Sequence, residues 1–176
     1  MAPVAVSGHK AACCACARLA KDHAMRALRA YIDIPPIWLF LAAAVAWILA
    51  RELPLIMAFG PVFRVGGGLT IAVGVAVILW AAWFFYRAKT PIEPRHTPKA
   101  LITSGPFKYS RNPIYLGMVL ILIGWVLVLG ALSPVLIPYL YFWMVDQRFA
   151  APEEEGLRHA FGVEGLRYIQ TTPRWI

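Results

Sequence analysis

Hydrophobic and polar positions fall into long blocks along this chain. Residues 34–50 are 17 consecutive uncharged positions closed by Arg51 and Glu52, at the short end of what crosses a bilayer as a helix. Residues 53–63 stay apolar but contain Pro54, Gly60 and Pro61, which predicts a loop or a re-entrant piece at the interface. A second span is predicted over 65–86, 22 uncharged residues opening on Gly66, Gly67 and Gly68 and ending on Trp80, Trp83 and Tyr86, an aromatic belt. Residues 87–111 turn polar and basic, and Pro91, Pro94, Pro98 and Gly105-Pro106 forbid a long helix there. The next 32 residues, 114–145, hold no Asp, Glu, Lys or Arg. As one helix they would run about 48 Å against a hydrocarbon core of about 30 Å, so the run folds back. Ser133-Pro134 is the natural bend, giving helices over 113–132 and 134–149. Pro152 followed by Glu153, Glu154 and Glu155 reads as the start of a further helix, with acids at the positive dipole end. Leu157 and Phe161 share one of its faces, and Pro173 stops it.

The pattern predicts an all-α, multi-span membrane helical bundle of about four transmembrane helices. A helical hairpin forms its C-terminal half and a cytoplasmic helix follows. Residues 1–33 form a basic cytoplasmic tail with an interfacial helix over 19–31, and 34–176 form the membrane domain. Composition agrees, since 60% of residues are hydrophobic and 15% charged, where a soluble domain carries about a quarter. The net charge of +8 alone would fit nucleic acid, but its distribution argues for a membrane surface. With the N-terminus cytoplasmic, fifteen of the seventeen Lys and Arg fall on that side, as positive-inside requires. Both termini and the 87–111 loop are then cytoplasmic, and the two polar segments can meet.

Cys13, Cys14 and Cys16, flanked by His9 and His23, cannot make a normal disulfide framework. They show no zinc-finger spacing, and a plain tail on the reducing side is the expectation, ahead of a metal site or palmitoylation. The first apolar run begins after Lys10, Arg18, Lys21, Arg26 and Arg29, too deep for a cleaved signal peptide.

Candidate chemistry gathers in two places. Asn112 and Pro113 are N-cap and first-turn residues of the third helix, whose free N–H groups would welcome an anion. Arg111 sits beside them and Tyr115 one turn in. Without a ligand, Arg111 is an interfacial anchor and Tyr115 a belt residue. Glu153 and Glu154 would be a solvated first turn or the holders of a cation; near Arg111 they suit a zwitterionic ligand. His96 and His159 are isolated, no metal is expected, and no GxGxxG follows a strand.

These segments resemble the integral-membrane methyltransferase superfamily of isoprenylcysteine carboxyl methyltransferases and phospholipid N-methyltransferases. The matching motifs are LITSGPFKYSRNPIYLG over 101–117 and EEEGLRHAFG over 153–162, followed by Tyr168 and Pro173-Arg174-Trp175. The resemblance implies S-adenosyl-L-methionine as methyl donor, held by segments 93–116 and 148–170. Lys99, Ala100, Leu101 and Ile102 would line the adenosine side, with Phe107 against the ligand. Asn112, Pro113, Ile114 and Tyr115 would match the family's Arg-(His/Asn)-Pro-x-Tyr segment, and Glu153 its first paired glutamate. Asn112 replaces the His of prenylcysteine enzymes, which moves the resemblance toward bacterial phospholipid-methyltransferase-like members and an inner-membrane location. The family often has an arginine before the Glu pair; Arg148 is nearest, with Ala150, Ala151 and Pro152 between, as a substrate contact.

Methyl transfer from a sulfonium is an in-line displacement in which positioning and a dry site do most of the catalysis. No covalent enzyme nucleophile is expected. Arg111, Tyr115 and Glu153 would position the reactants, and Glu153 and Glu154 would meet the donor's cationic portion. The acceptor, a carboxylate, amine or thiol on a lipophilic molecule, would enter from lipid. Two alternatives stay open: a membrane reductase using NADPH, whose relatives are longer, and a nonenzymatic four-span protein.

Overall fold

The computed structural model describes residues 33–53, 60–89 and 101–176. The interfacial helix over 19–31, the cysteine cluster, most of the 53–63 loop, His96, Lys99 and Ala100 lie outside them. Among the described residues every regular element is helical. Helix α1 is Pro35–Glu52, α2 Pro61–Arg87, α3 Pro113–Leu129, α4 Ile137–Val145 and α5 Ala151–Thr171. Single 3₁₀ turns lie at Gly105–Lys108 and Ser133–Leu136, and a π turn at Asp146–Ala150. α1 and α2 are long and apolar enough to cross a membrane, while α3, also apolar, has 17 residues.

Each of the first three helices starts on a proline, whose missing N–H is an orphan there in any case and whose φ suits a first turn. α2 starts at Pro61, four residues before the expected 65. Gly60 ahead of it is extended, and Pro61 is a better first-turn residue than Val65. α3 ends three residues before the expected 132. Gly130 takes a left-handed φ of 74° and its N–H bonds Val126 O, a glycine stop that acts before Ser133-Pro134. The hairpin bend is therefore Gly130 plus the following 3₁₀ turn.

α2 and α3 run antiparallel with their backbones touching. A Cβ on Gly67 would stand 2.6 Å from Gly124 O, and one on Gly124 2.5 Å from Gly67 O. One turn pair further along, Gly74 and Gly117 repeat the relation at 2.6 and 2.7 Å. Where lipid offers helices no hydrophobic drive to associate, such close approach supplies the van der Waals contact. The core lies on the other side of α3. Tyr115, Met118, Val119 and Leu122 pack with Tyr141, Val145 and Phe149, and Trp38, Leu39, Ala42 and Ala43 of α1 close over them. Three polar tips tie α1 down: Trp125 Nε1 donates to Ala43 O at 3.1 Å, Ser133 Oγ to Leu49 O at 3.0 Å and Tyr141 Oη to Pro35 O at 3.2 Å.

The sequence places a helix start at Pro152, and α5 does begin one residue earlier, but its end is not free. Val145, Asp146, Ala150 and Ala151 all keep right-handed helical φ/ψ, so the helix continues from α4. Pro152 cannot donate to a carbonyl one turn back, and inside a regular α-helix its ring would clash there. The π turn, closed by Ala151 N–H on Asp146 O, widens the helix just before it. The helix breaks instead at Gly162, with φ 51° and ψ −120°, and doubles back until Gly165 lies against Leu157 O.

Candidate active site

The start of α3 is built from three segments. The 3₁₀ turn Gly105–Lys108 buries Phe107, whose ring meets Phe85 edge-on at 5.3 Å. Gly105 has a φ of +64°, and a Cβ there would lie 2.3 Å from the Phe84 ring. Tyr168, on the returning arm of α5, donates its O–H to Phe107 O at 2.7 Å. Burial pushes the Tyr168 hydroxyl up to about 12, with a smaller opposing pull from Arg111.

The chain's last residues then cross this turn in extended form. Arg111 N–H donates to Pro173 O at 3.1 Å. Ser110 Oγ and Asn112 Nδ2 both donate to Arg174 O, at 3.1 and 3.4 Å. Asn112 thus holds the N-cap position, but its side chain makes no cap bond. The amide is turned toward the tail, and the Asn112 N–H goes to Ser110 Oγ at 3.2 Å.

Glu153 and Glu154 face different partners. Tyr115 Oη donates to Glu153 Oε1 at 2.5 Å. Glu154 is buried, and Arg174 grips it with two prongs, Nε to Oε1 at 2.6 Å and Nη2 to Oε2 at 2.7 Å. Arg174 Nη1 also reaches Asp146 Oδ1 at 3.1 Å, and Trp175 Nε1 donates to the same oxygen at 2.9 Å. The bonds to Glu154 raise the Arg174 guanidinium above its ordinary pKa. Asp146 and Glu154 are eight residues apart, about 80° around a regular helix, and the extra residue in the π turn removes about one 100° step. That brings both acids onto one arginine and leaves Glu153 for Tyr115.

Arg111 lies within this cluster with a side chain only 9% exposed, its Nη1 3.0 Å from Glu154 Oε1. The two are at ion-pair distance without the alignment of a hydrogen bond, and Arg111 Nε and Nη1 have no hydrogen-bond partner among the described residues. Unsatisfied donors of a buried guanidinium are costly, and such groups call for an explanation. An anionic oxygen at the start of α3 would supply one.

A family model described as phospholipid methyltransferase matches residues 62–164, more than half of the 176. The chain belongs to the phospholipid methyltransferase family. No curated protein and no solved structure matches it. The family match runs from α2 through α3 and α4 to the first arm of α5, and takes in Arg111, Tyr115, Glu153 and Glu154. Membership points to methyl transfer at a membrane, with a lipid as acceptor.

The structure therefore brings together Phe107, Arg111, Asn112, Pro113, Tyr115, Glu153 and Glu154. Ile114 is half-buried in the first turn of α3. Leu101 and Ile102, with Thr103, Ser104, Phe84, Arg87 and Ala88, line an open recess of about 400 Å³. Arg148 is turned elsewhere, pairing with Asp33 at 2.8 and 3.0 Å and lying over the Trp38 ring. His159 is exposed. Sequence reasoning missed Asp146, and it named Arg174 and Trp175 in the family-like ending without giving either a role. The signal for Asp146 was present: it is the first charge after 32 uncharged residues.

Proposed function

We propose that this chain is a multi-pass membrane methyltransferase that uses S-adenosyl-L-methionine to methylate the head-group amine of a phospholipid. α1, α2, α3 and the continuous α4 with its flanking turns would be the four spans, with both termini cytoplasmic. The observation that carries the reading is the Arg111 side chain at the start of α3, 9% exposed, whose Nε and Nη1 find no hydrogen-bond partner among the described residues, beside Tyr115 and Glu153, in a chain of this family.

The donor supplies, when bound, a methyl carbon on a positively charged sulfur. Arg111 and the first N–H groups of α3 would take the carboxylate of the donor or the phosphodiester of the acceptor. Phe107, Leu101 and Ile102, with Lys99 and Ala100 from the preceding segment, would hold the adenosine. Glu153, oriented by the Tyr115 hydroxyl, would face the cationic portion of the reactants and receive the proton that an ammonium acceptor loses. The chemistry the donor would supply is an in-line displacement, in which the amine lone pair would form the C–N bond and the C–S electron pair would stay on sulfur. Glu154 is held between Arg174 and Arg111, and its part would be to set their geometry. No charged intermediate on the protein is required, so positioning and water exclusion carry the rate.

The test is calorimetric titration of detergent-purified protein with S-adenosylmethionine and S-adenosylhomocysteine. Radiolabelled methyl transfer to vesicles of phosphatidylethanolamine, with a prenylcysteine and a small thiol as competing acceptors, follows. Binding of neither nucleoside would reject the reading, and labelling of the prenylcysteine or thiol alone would reject the acceptor.

A further inference from the structure

Arg174 lies ten residues beyond the family-matched stretch, yet it makes the closest ionic contacts in the cluster. Its fork occupies both oxygens of Glu154, and its third nitrogen reaches Asp146. Its carbonyl accepts from Ser110 and Asn112 on either side of Arg111. Two acids therefore face two arginines, but the hydrogen bonds are shared unequally. Arg174 donates to both acids, while Arg111, closer to the start of α3, meets Glu154 out of line, and its Nε and Nη1 have no hydrogen-bond partner among the described residues. A buried carboxylate that lost Arg174 would be left without its two strongest hydrogen bonds. The nearest guanidinium able to replace them is Arg111, 3.0 Å away, and a planar fork favours such two-pronged pairing.

We propose that Arg174 is a positioning residue for Arg111: by occupying both oxygens of Glu154 it prevents Arg111 from closing a fork on that carboxylate, and so keeps its donors directed to an anionic oxygen group at the start of α3. The ligand side rests on the reading given under Proposed function, and the anion is a carboxylate or a phosphodiester. Trp175 supports the arrangement from behind, bonding Asp146 and packing on Phe142 at 4.7 Å.

The competition makes an unusual demand. Arg174→Gln frees Glu154 to capture Arg111 and weakens anion binding, and adding Glu154→Gln removes the captor and restores it. Full-length protein labelled with [15N]arginine in micelles reads the first half without any ligand, the Arg111 Nε–H signal being assigned by its loss in Arg111→Lys. That signal is expected to shift in Arg174→Gln, to return in the double variant, and to stay near its original position in Arg174→Lys, which keeps a cation on Glu154. Calorimetry reads the second half, with S-adenosylhomocysteine as the carboxylate probe and glycerophosphoethanolamine as the phosphodiester probe. Whichever binds through Arg111 weakens by about ten- to a hundredfold in Arg174→Gln, the equivalent of one charged hydrogen bond or two, and recovers in the double variant. An unmoved Arg111 signal, or a double variant as weak as the single one, overturns the proposal. If the Arg111 signal shifts and returns as stated while wild-type protein binds neither probe, the positioning stands and the methyl-transfer reading falls.

Discussion

Three consecutive glycines, Gly66, Gly67 and Gly68, lie in the N-terminal part of α2, and the packing against α3 assigns them different consequences. A Cβ on Gly67 would meet Gly124 O at 2.6 Å, Val128 Cγ2 at 2.9 Å and Leu127 Cβ at 3.0 Å, whereas one on Gly66 or Gly68 would meet nothing within 4 Å. The nearest neighbour is a backbone oxygen inside a helix and cannot swing aside. Gly67→Ala must therefore part the two helices by roughly 0.8 Å, from 2.6 Å to an ordinary contact of 3.4 Å. Overpacking of this kind costs about 1–3 kcal/mol. Alanine returns about 0.5–1 kcal/mol through helix propensity, so the net loss is on the order of 1–2 kcal/mol. At Gly66 and Gly68 only the gain operates, and those alanine variants should be neutral or slightly more stable. Unfolding in mixed micelles with increasing sodium dodecyl sulfate, followed by far-ultraviolet circular dichroism, orders the three variants. If Gly67→Ala unfolds at the same detergent fraction as Gly68→Ala, the close α2–α3 crossing is wrong.

The reactive end yields further expectations. Tyr115→Phe removes the hydroxyl on Glu153 and should lower kcat for methyl transfer by about tenfold or more, with melting temperature little changed; an unchanged rate would remove Tyr115 from the site. Arg148→Ala, which loses only an exposed pair with Asp33 and its place over Trp38, should leave donor affinity and rate intact, and a large loss of either would return Arg148 to the substrate. Tyr168 has a folded pKa raised to about 12 from an ordinary value of 10.0. Its contribution to stability is therefore complete below pH 10 and lost as pH rises through 12. Tyr168→Phe should flatten the fall of melting temperature over that window, and an unaltered slope would count against a buried, hydrogen-bonded phenol.

Length and sign of charge were enough for much of the architecture. Uncharged blocks separated by prolines placed α1, α2 and α3 within a few residues, because lipid and the missing N–H of Pro35, Pro61 and Pro113 both act locally. Residues 101–117 and 153–162 stand out in the sequence through their resemblance to a methyltransferase family, and the structure brings the two segments into contact through Tyr115–Glu153 and Arg111–Glu154. What the one-dimensional pattern could not assign was which partner each side chain takes. Gly67, Gly74, Gly117 and Gly124 are spaced by seven in both helices, but only their antiparallel crossing turns that spacing into two backbone contacts. Glu153 and Glu154 are identical neighbours in sequence, and it is the π turn upstream, widened before Pro152, that sends one to Tyr115 and the other to Arg174. Arg174 itself is twenty residues from Glu154 and sixty-two from Asn112. Its contacts arise because Gly162 folds α5 back across the start of α3, a long-range closure that no local preference specifies. The sequence by itself determined where long apolar helices form and which few polar residues stand near their ends, because both follow from local composition; the tertiary structure decided which of those charges pair and that Arg111 Nε and Nη1 find no hydrogen-bond partner among the described residues.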